Sequence, residues 1–469
     1  LDQDALRKQI AELRSRSAPL EWSGETFRQQ CESALGPLAA FVEMAAGGPA
    51  FPEQSANPLS SQISSHLDPE NPIHRLIASQ LQLGTEHGSG GFLGFIPCGG
   101  LPAAALADLV TSVTNRYASF THAAPGAAAA ECEVIEWLCR LFGLGPDAWG
   151  VLTSGGTMAT LNCLLAARES VDHVPVEKLA IYMTDQAHHC AARTLKTMGL
   201  HRSVRRIVGT DALYRMDVPE LRRLVQEDVR LGMHPFLVVA SAGTTNTGAI
   251  DPLDEIARVA REHKLWFHVD AAYGGFFMLC EEARPAFRGI EHADSIVVDP
   301  HKGLSMPMGT GVSLVRDGEL LRKAVQEDAD YLPHTQGAPP RLQRSPGDYS
   351  FELTRHNRAP RIRLSLDIFG EETFAAALSE KLLLANYLYR ELNQVPGLTV
   401  LRDPQLTVVA FRRDTEPQTQ QLWQSILRDG QIFVSPTRTR GEFWIRTCVL
   451  SFRTHIEHME ALVERVRAF

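Results

Sequence analysis

Long apolar runs are missing from this chain. None reaches the roughly 18 residues that a membrane-crossing helix needs, so no membrane partner is expected. Positive charge is also in short supply: 46 Lys and Arg stand against 55 Asp and Glu, a formal net charge of −9 at pH 7. That balance argues against a protein built to coat nucleic acid. The basic stretch "HRSVRR" (His201 to Arg206) reads as solvated surface. The eight cysteines are scattered, with neither a C-x-x-C pair nor a cluster. They predict reduced, mostly buried thiols, a cytoplasmic setting and no metal site. Tandem repeats are absent as well. The opening "LDQDALRKQIAELRSRS" is patterned as a charged amphipathic helix, not a signal peptide, and a start at Leu1 rather than Met is expected of a trimmed chain.

What is present is enough for a large core: 469 residues, 44% of them hydrophobic. Residues 1–71 read as an N-terminal helical segment (Leu1 to Arg16, Gly24 to Met44) followed by a Gly/Pro/Ser-rich stretch. From 72 to 370 short β-branched runs alternate with helical patterns, which predicts an α/β domain with a mostly parallel sheet. Strands are expected at Gly150 to Thr153, Leu179 to Thr184, Phe236 to Ala240, Leu265 to Val269, Ser295 to Val298 and Gly311 to Val315. The helix over Glu131 to Phe142 places Val134, Ile135, Leu138, Leu141 and Phe142 on one face. In "DPLDEIARVAREHK", Asp251 is expected to cap a helix that ends at Lys264. Residues 371–469 predict a smaller α+β unit, with strands at Leu406 to Phe411 and Phe443 to Leu450 and Thr454 capping the last helix.

Three motifs sit where strands should end. "TSGGTMATLNCLLAARE" follows the first strand, and its Gly155, Gly156 and Thr157 form a strand-to-helix turn. Such a turn lets the backbone approach an anion, and the helix dipole favours negative charge. The spacing fits neither G-x-G-x-x-G nor a P-loop, so a single phosphate suits it better than a dinucleotide or triphosphate. Asp270 closes the apolar strand "LWFHVD", where a carboxylate needs a positive partner. Lys302 follows the next strand in "VDPHKGLSMPMGTG", 32 residues after Asp270. Parallel strands present these ends on one edge, the usual ligand edge of an open α/β sheet. A partly desolvated lysine there can form a Schiff base. Lysine for an aldehyde, a cradle for a phosphate and an acid for a pyridinium nitrogen together describe pyridoxal 5'-phosphate (PLP).

With these motifs in place, "DQAHHC", "AGTTNTGAIDPL", "HVDAAYGG" and "ADSIVVDPHKG" resemble the group II pyridoxal-phosphate amino-acid decarboxylases, from about Phe92 to the end of the chain. That family includes aromatic L-amino-acid, glutamate and cysteine-sulfinate decarboxylases. The resemblance implies fold type I of the PLP enzymes and an obligate homodimer with active sites at the interface. It implies that Lys302 forms the internal aldimine and Asp270 pairs with the pyridine nitrogen. Ala272 would pack on one ring face and His188 on the other. Gly155, Gly156 and Thr157 would hold the phosphate with His301, and Thr245 would lie near the ring hydroxyl. The Pro- and Gly-rich segment at about 328–350 matches the family's mobile loop and puts Tyr331 at the place of its proton donor, with Tyr349 a rival in the same segment. The activity implied is decarboxylation of an L-amino acid to its amine and carbon dioxide, through the Lys302 aldimine and a quinonoid.

Specificity is less sharply written. "FLGFIPCGG" matches the substrate-pocket segment, and Phe92, Phe95 and Ile96 make it apolar, which favours an aromatic or bulky apolar substrate over glutamate. The chain departs from the family in "EHGSGG", where a His-Pro pair is common, and at Pro360 and Arg363, where a leucine and a tryptophan are usual, while Arg355 and Arg358 are kept. Three alternatives stay open: an oxygen-using aldehyde synthase on the same scaffold, a decarboxylase of an acidic amino acid, and a non-catalytic relative. Tyr331 argues against the first, and the presence of both Lys302 and Asp270 against the last.

Overall fold

The computed structural model describes residues 23–48, 50, 67–81, 84–326 and 344–469. The helix expected at Leu1 to Arg16 and the loop residue Tyr331 lie outside the described residues.

Seven strands form the larger sheet: β1 (Trp149–Thr153), β2 (Leu179–Thr184), β3 (Val204–Val208), β4 (His234–Ser241), β5 (Trp266–Asp270), β6 (Ser295–Val298) and β7 (Gly311–Val315). Their order is β1-β7-β6-β5-β4-β2-β3. Pairs β2/β3, β2/β4, β4/β5 and β5/β6 are parallel, whereas β7 is antiparallel to both β1 and β6. β1 therefore points the same way as β6, and the C-terminal ends of β1, β2, β4, β5 and β6 share one edge. Helices cover the sheet, so β2 is buried along its whole length and β4 at all but its first residue. That is why they read as continuous apolar runs rather than alternating ones. Each fully buried Val, Leu or Ile there contributes about 1.5–3 kcal/mol.

The edge strand β3 went unread in the sequence because it alternates and keeps Arg205 and Ile207 exposed. "HRSVRR" is thus partly strand, and its Arg206 pairs with Asp228, which has no exposed side-chain surface.

The described helices are α1 (Gly24–Gly47), α2 (Pro72–Gln80), α3 (Pro102–Thr114), α4 (Pro125–Leu141), α5 (Gly156–Glu169), α6 (His189–Thr197), α7 (Val218–Arg230), α8 (Leu253–His263), α9 (Pro300–Gly303), α10 (Gly318–Val325), α11 (Ala359–Asn393), α12 (Glu416–Leu427) and α13 (Ile456–Ala468). α4 starts six residues before the expected Glu131, at Pro125, whose fixed φ and missing N–H suit a first turn. Asp251 does not cap α8. Its carboxylate instead accepts the backbone N–H groups of Met216 and Ser241, both at 2.7 Å, and ties β4 to a neighbouring loop. Thr454 does not cap α13 either: His455 is the cap residue, and the Thr454 hydroxyl donates to the Gly90 carbonyl at 2.7 Å. In both cases a long-range acceptor or donor outcompeted the local cap.

A four-stranded antiparallel sheet, β8 (Leu398–Val400), β9 (Val408–Arg413), β10 (Ser435–Thr439) and β11 (Glu442–Cys448), has the order β10-β11-β9-β8. It packs with α11, α12 and α13 around its own apolar cluster, which includes Leu388, Phe411, Leu422, Ile445 and Leu462. α11 changes direction at Gly370, where φ 74 and ψ 160 interrupt the helix. All eight cysteines are free thiols, and only Cys31 is not buried.

Candidate active site

The shared strand edge opens into a cavity of about 380 Å³. It is lined by Gly155, Gly156, Thr157, His188, Thr245, Asp270, Ala272, His301 and Lys302 together. That volume falls in the ordinary range of small-ligand sites.

β1 delivers the chain into Ser154, Gly155 and Gly156, the start of α5. Gly155 has φ 141, a conformation that residues with a Cβ rarely adopt. A Cβ added at Gly156 would stand 2.8 Å from an oxygen of Asp299. No side chain caps α5, so its first-turn N–H groups and dipole are free for an anion. The strand that carries this turn is held from beneath by a buried ion pair. Glu131 accepts the Leu152 N–H at 2.9 Å, and Arg355 donates to the Leu152 carbonyl at 2.9 Å while pairing with Glu131. Arg358 and Arg361 brace the adjoining loop through the Gly309 carbonyl and the Thr310 hydroxyl, at 2.9 and 2.6 Å.

β5 ends at Asp270, whose Oδ1 accepts the Ala272 N–H at 3.1 Å. Among the described residues the carboxylate has no ion pair, and it faces the cavity. β6 ends at Val298, and the short α9 carries His301 and Lys302. The Lys302 ammonium lies 3.0 Å from Asp299 Oδ2. Burial disfavours that ammonium, but Asp299 and then Asp270 outweigh it, and the group's pKa stands above the ordinary lysine value. His301 Nδ1–H donates to the Thr310 carbonyl at 2.6 Å. Because a carbonyl can only accept, Nδ1 carries a proton in either charge state of the ring.

His188 is the cap residue of α6, and its Nδ1 accepts the Cys190 N–H at 3.4 Å. Nε2 then carries the ring proton. Burial pushes its pKa below the ordinary imidazole value, partly opposed by Asp270. Burial pushes the neighbouring Cys190 thiol up to about 12, so it is no nucleophile near neutrality. Thr245 reaches the cavity while its carbonyl accepts from Arg446 at 3.0 Å, a contact from the smaller sheet's β11.

The substrate-pocket residues are placed differently. Phe92 is 1% exposed and stacks on Phe433, with ring centroids 5.4 Å apart. Ile96 is 4% exposed in the main core. Phe95 is 43% exposed and meets Phe433 edge-on. None of the three lines the cavity, though the adjacent Pro97 does. The reason is that this segment runs beside the small sheet. The Leu93 N–H donates to the Phe433 carbonyl and the Cys448 N–H to the Leu93 carbonyl, both at 2.8 Å, while Ser435 and Arg446 hold the Gly94 carbonyl. Tyr349 is buried against Trp149, at the opposite end of β1 from the glycine turn.

Sequence reasoning missed Asp299 and the Glu131–Arg355 pair. The i,i+3 spacing of Asp299 and Lys302 on one strand-to-helix turn was a usable signal. The ion pair, joining residues far apart in the chain, left none. The uncapped glycine turn, the unpaired Asp270 and the carboxylate-held Lys302 fit PLP.

A family model described as the pyridoxal-dependent decarboxylase conserved domain matches residues 52–414. An aromatic-L-amino-acid decarboxylase of Bacillus atrophaeus is 31% identical over 411 residues, covering 86% of this chain and 85% of that protein. A phenylacetaldehyde synthase of Arabidopsis thaliana is 27% identical over 357 residues, 72% of each chain. The tryptophan decarboxylase of Catharanthus roseus, solved in complex with L-tryptophan, shares the fold. Its TM-score is 0.83 at 23% identity, covering 95% of this chain and 99% of that one.

Proposed function

This chain belongs to the pyridoxal-dependent decarboxylase family, and we propose that it converts an aromatic L-amino acid to its amine and carbon dioxide. The observation that carries the reading is the convergence of Lys302, Asp270 and the α5 N-terminus on one cavity. Lys302 would hold the PLP aldehyde covalently, Asp270 the ring nitrogen, and Gly155, Gly156, Thr157 and His301 the phosphate. Ala272 and His188 would flank the ring, with Thr245 beside its hydroxyl. When bound, PLP supplies an electron sink for the pair left at Cα as carbon dioxide departs.

The chain's own groups do the rest. Asp270, at the sheet edge, would favour a proton on a nitrogen placed opposite it. His188 holds a proton on Nε2, facing the cavity, and Tyr331 is proposed as the donor that delivers one to Cα. Lys302 would hold the cofactor again once the product amine has left.

The apolar substrate wall is proposed to form across a homodimer interface. Phe95 stays open in one chain, and α3 leaves Leu106, Leu109, Val110 and Val113 exposed, as a helix covered by a second copy would. A division at Gly370 into a PLP-binding unit and a smaller C-terminal unit belongs to the same reading, as does a cytoplasmic setting. Among the described residues no helix is long and apolar enough to cross a membrane.

An oxidative outcome is the second reading, because a matched relative is named an aldehyde synthase. The test is carbon dioxide release from each common L-amino acid, with amine and peroxide measured alongside. Lys302→Ala is expected to abolish the visible cofactor band and lower turnover by roughly three or more orders of magnitude. Release from glutamate or aspartate alone sinks the aromatic assignment, and peroxide equal to carbon dioxide sinks simple decarboxylation.

A further inference from the structure

Arg446, on β11 of the smaller sheet, is 7% exposed and does not line the cavity. Two backbone carbonyls hold its guanidinium. Nη1–H donates to Thr245 and Nη2–H to Gly94, each at 3.0 Å, while Nε–H has no partner among the described residues. The two acceptors belong to separate parts of the proposed site. Thr245 lines the cavity, whereas Gly94 lies in the proposed substrate wall, three residues before the cavity-lining Pro97. That wall is seated closely, since a Cβ added at Gly94 would stand 2.1 Å from the Phe433 ring.

Each segment also has a tie of its own to β10. Ser435, the register partner of Arg446, donates its hydroxyl to the Gly94 carbonyl at 2.6 Å. The Thr437 hydroxyl donates to the Asn246 side-chain oxygen at 2.9 Å, one residue after Thr245. Ser435 thus holds the substrate segment, Thr437 holds the cofactor loop, and Arg446 holds both.

A buried guanidinium is costly unless its donors are met. Its donors share one rigid plane, so a shift of the Thr245 carbonyl tilts the fork that holds Gly94. Losing either carbonyl leaves the buried charge under-bonded, so each bond favours the other. We infer that Arg446 is a positioning residue that couples the cofactor loop to the substrate wall. Filling the cofactor site then tightens binding at the wall, and the wall returns the same factor to the cofactor.

The inference rests on the PLP and aromatic-substrate reading, and the experiment separates the two. Indole-3-propanoate and 3-phenylpropanoate carry an aromatic group and a carboxylate but no amine to react. Their binding is measured calorimetrically to full-length protein, cofactor-free and PLP-loaded. Wild type is expected to bind them about tenfold more tightly when loaded. Arg446→Lys keeps the charge and loses the fork, so that gain is expected to fall to within about twofold. The same variant should raise both KM and the PLP dissociation constant by about tenfold, with kcat within about threefold of wild type. Ser435→Ala is expected to raise KM alone, and Thr437→Val the PLP dissociation constant alone, both with the gain retained.

A wild type without the gain overturns the inference whatever the variants do. So does a gain that survives in Arg446→Lys, which is the result a merely structural arginine gives. If Arg446→Lys does not fold, the one-sided variants decide: either of them moving both constants removes the special place of Arg446. No visible cofactor band in wild type overturns the PLP reading, and a normal band with neither acid bound overturns the aromatic one. This inference falls with either.

Discussion

The cavity and the apolar segment proposed to wall its substrate are built in opposite ways. At the cofactor end, every group arrives from the C-terminal edge of one sheet: the glycine turn from β1, His188 after β2, Thr245 after β4, Asp270 on β5, and His301 and Lys302 after β6. The apolar segment Phe92 to Ile96, proposed as a substrate wall, lies outside the cavity lining; backbone contacts to the smaller sheet hold it, and its two most buried side chains fill cores. Short local segments on a rigid sheet make the first region readable and hard to perturb in part. The second depends on what packs against it, so an apolar residue there can be wall, core or interface.

The strongest challenge to this contrast is Asp270→Asn. Loss of its charge is expected to lower turnover by roughly two to three orders of magnitude while leaving the cofactor band attached to Lys302. Turnover within about tenfold of wild type would mean that Asp270 is only a structural acid. Next in size is the pair Phe92→Ala and Phe95→Ala. Truncating buried Phe92 is expected to cost about 3 kcal/mol of folding stability, measured from denaturant midpoints. The exposed Phe95 is expected to change stability by less than about 0.5 kcal/mol, yet to raise KM for an aromatic substrate. If the two variants behave alike, the division of this segment into core and wall fails.

The smallest effect concerns His188. Its folded-state pKa is lowered, so the native protein favours the neutral ring while the unfolded chain takes up a proton at the ordinary value. Stability contributed by this group is whole above about pH 6.5 and declines as pH falls below it. His188→Gln is expected to flatten that decline in thermal unfolding scans, and an unchanged slope would count against a buried neutral imidazole.

Much of the cofactor end was legible before any coordinates, because strand-terminal Asp270, Lys302 and the glycine turn are each written in a few contiguous residues. Gly155 was read as a turn residue from its motif, and the structure adds a φ of 141 that residues with a Cβ rarely adopt. Asp251 and Thr454 were misjudged as helix caps for one physical reason. A cap is a local bond, and a distant partner of better geometry displaced it in each case. Edge strand β3 was missed because a strand buried on one side carries charges that look like surface.

By itself, the sequence determined the chemistry of the site: a lysine, an acid and an anion turn at the ends of like-directed strands, since hydrophobic runs and their terminators are local properties. Only the tertiary structure decided that β7 runs backwards between β6 and the edge strand β1, so that β1 points the same way as β6, that Glu131 and Arg355 lock β1, and that Asp299 holds Lys302 beneath the glycine turn. Those arrangements join residues far apart along the chain or stack one turn on another. Their energies depend on distance and desolvation in the folded molecule, which no local pattern records.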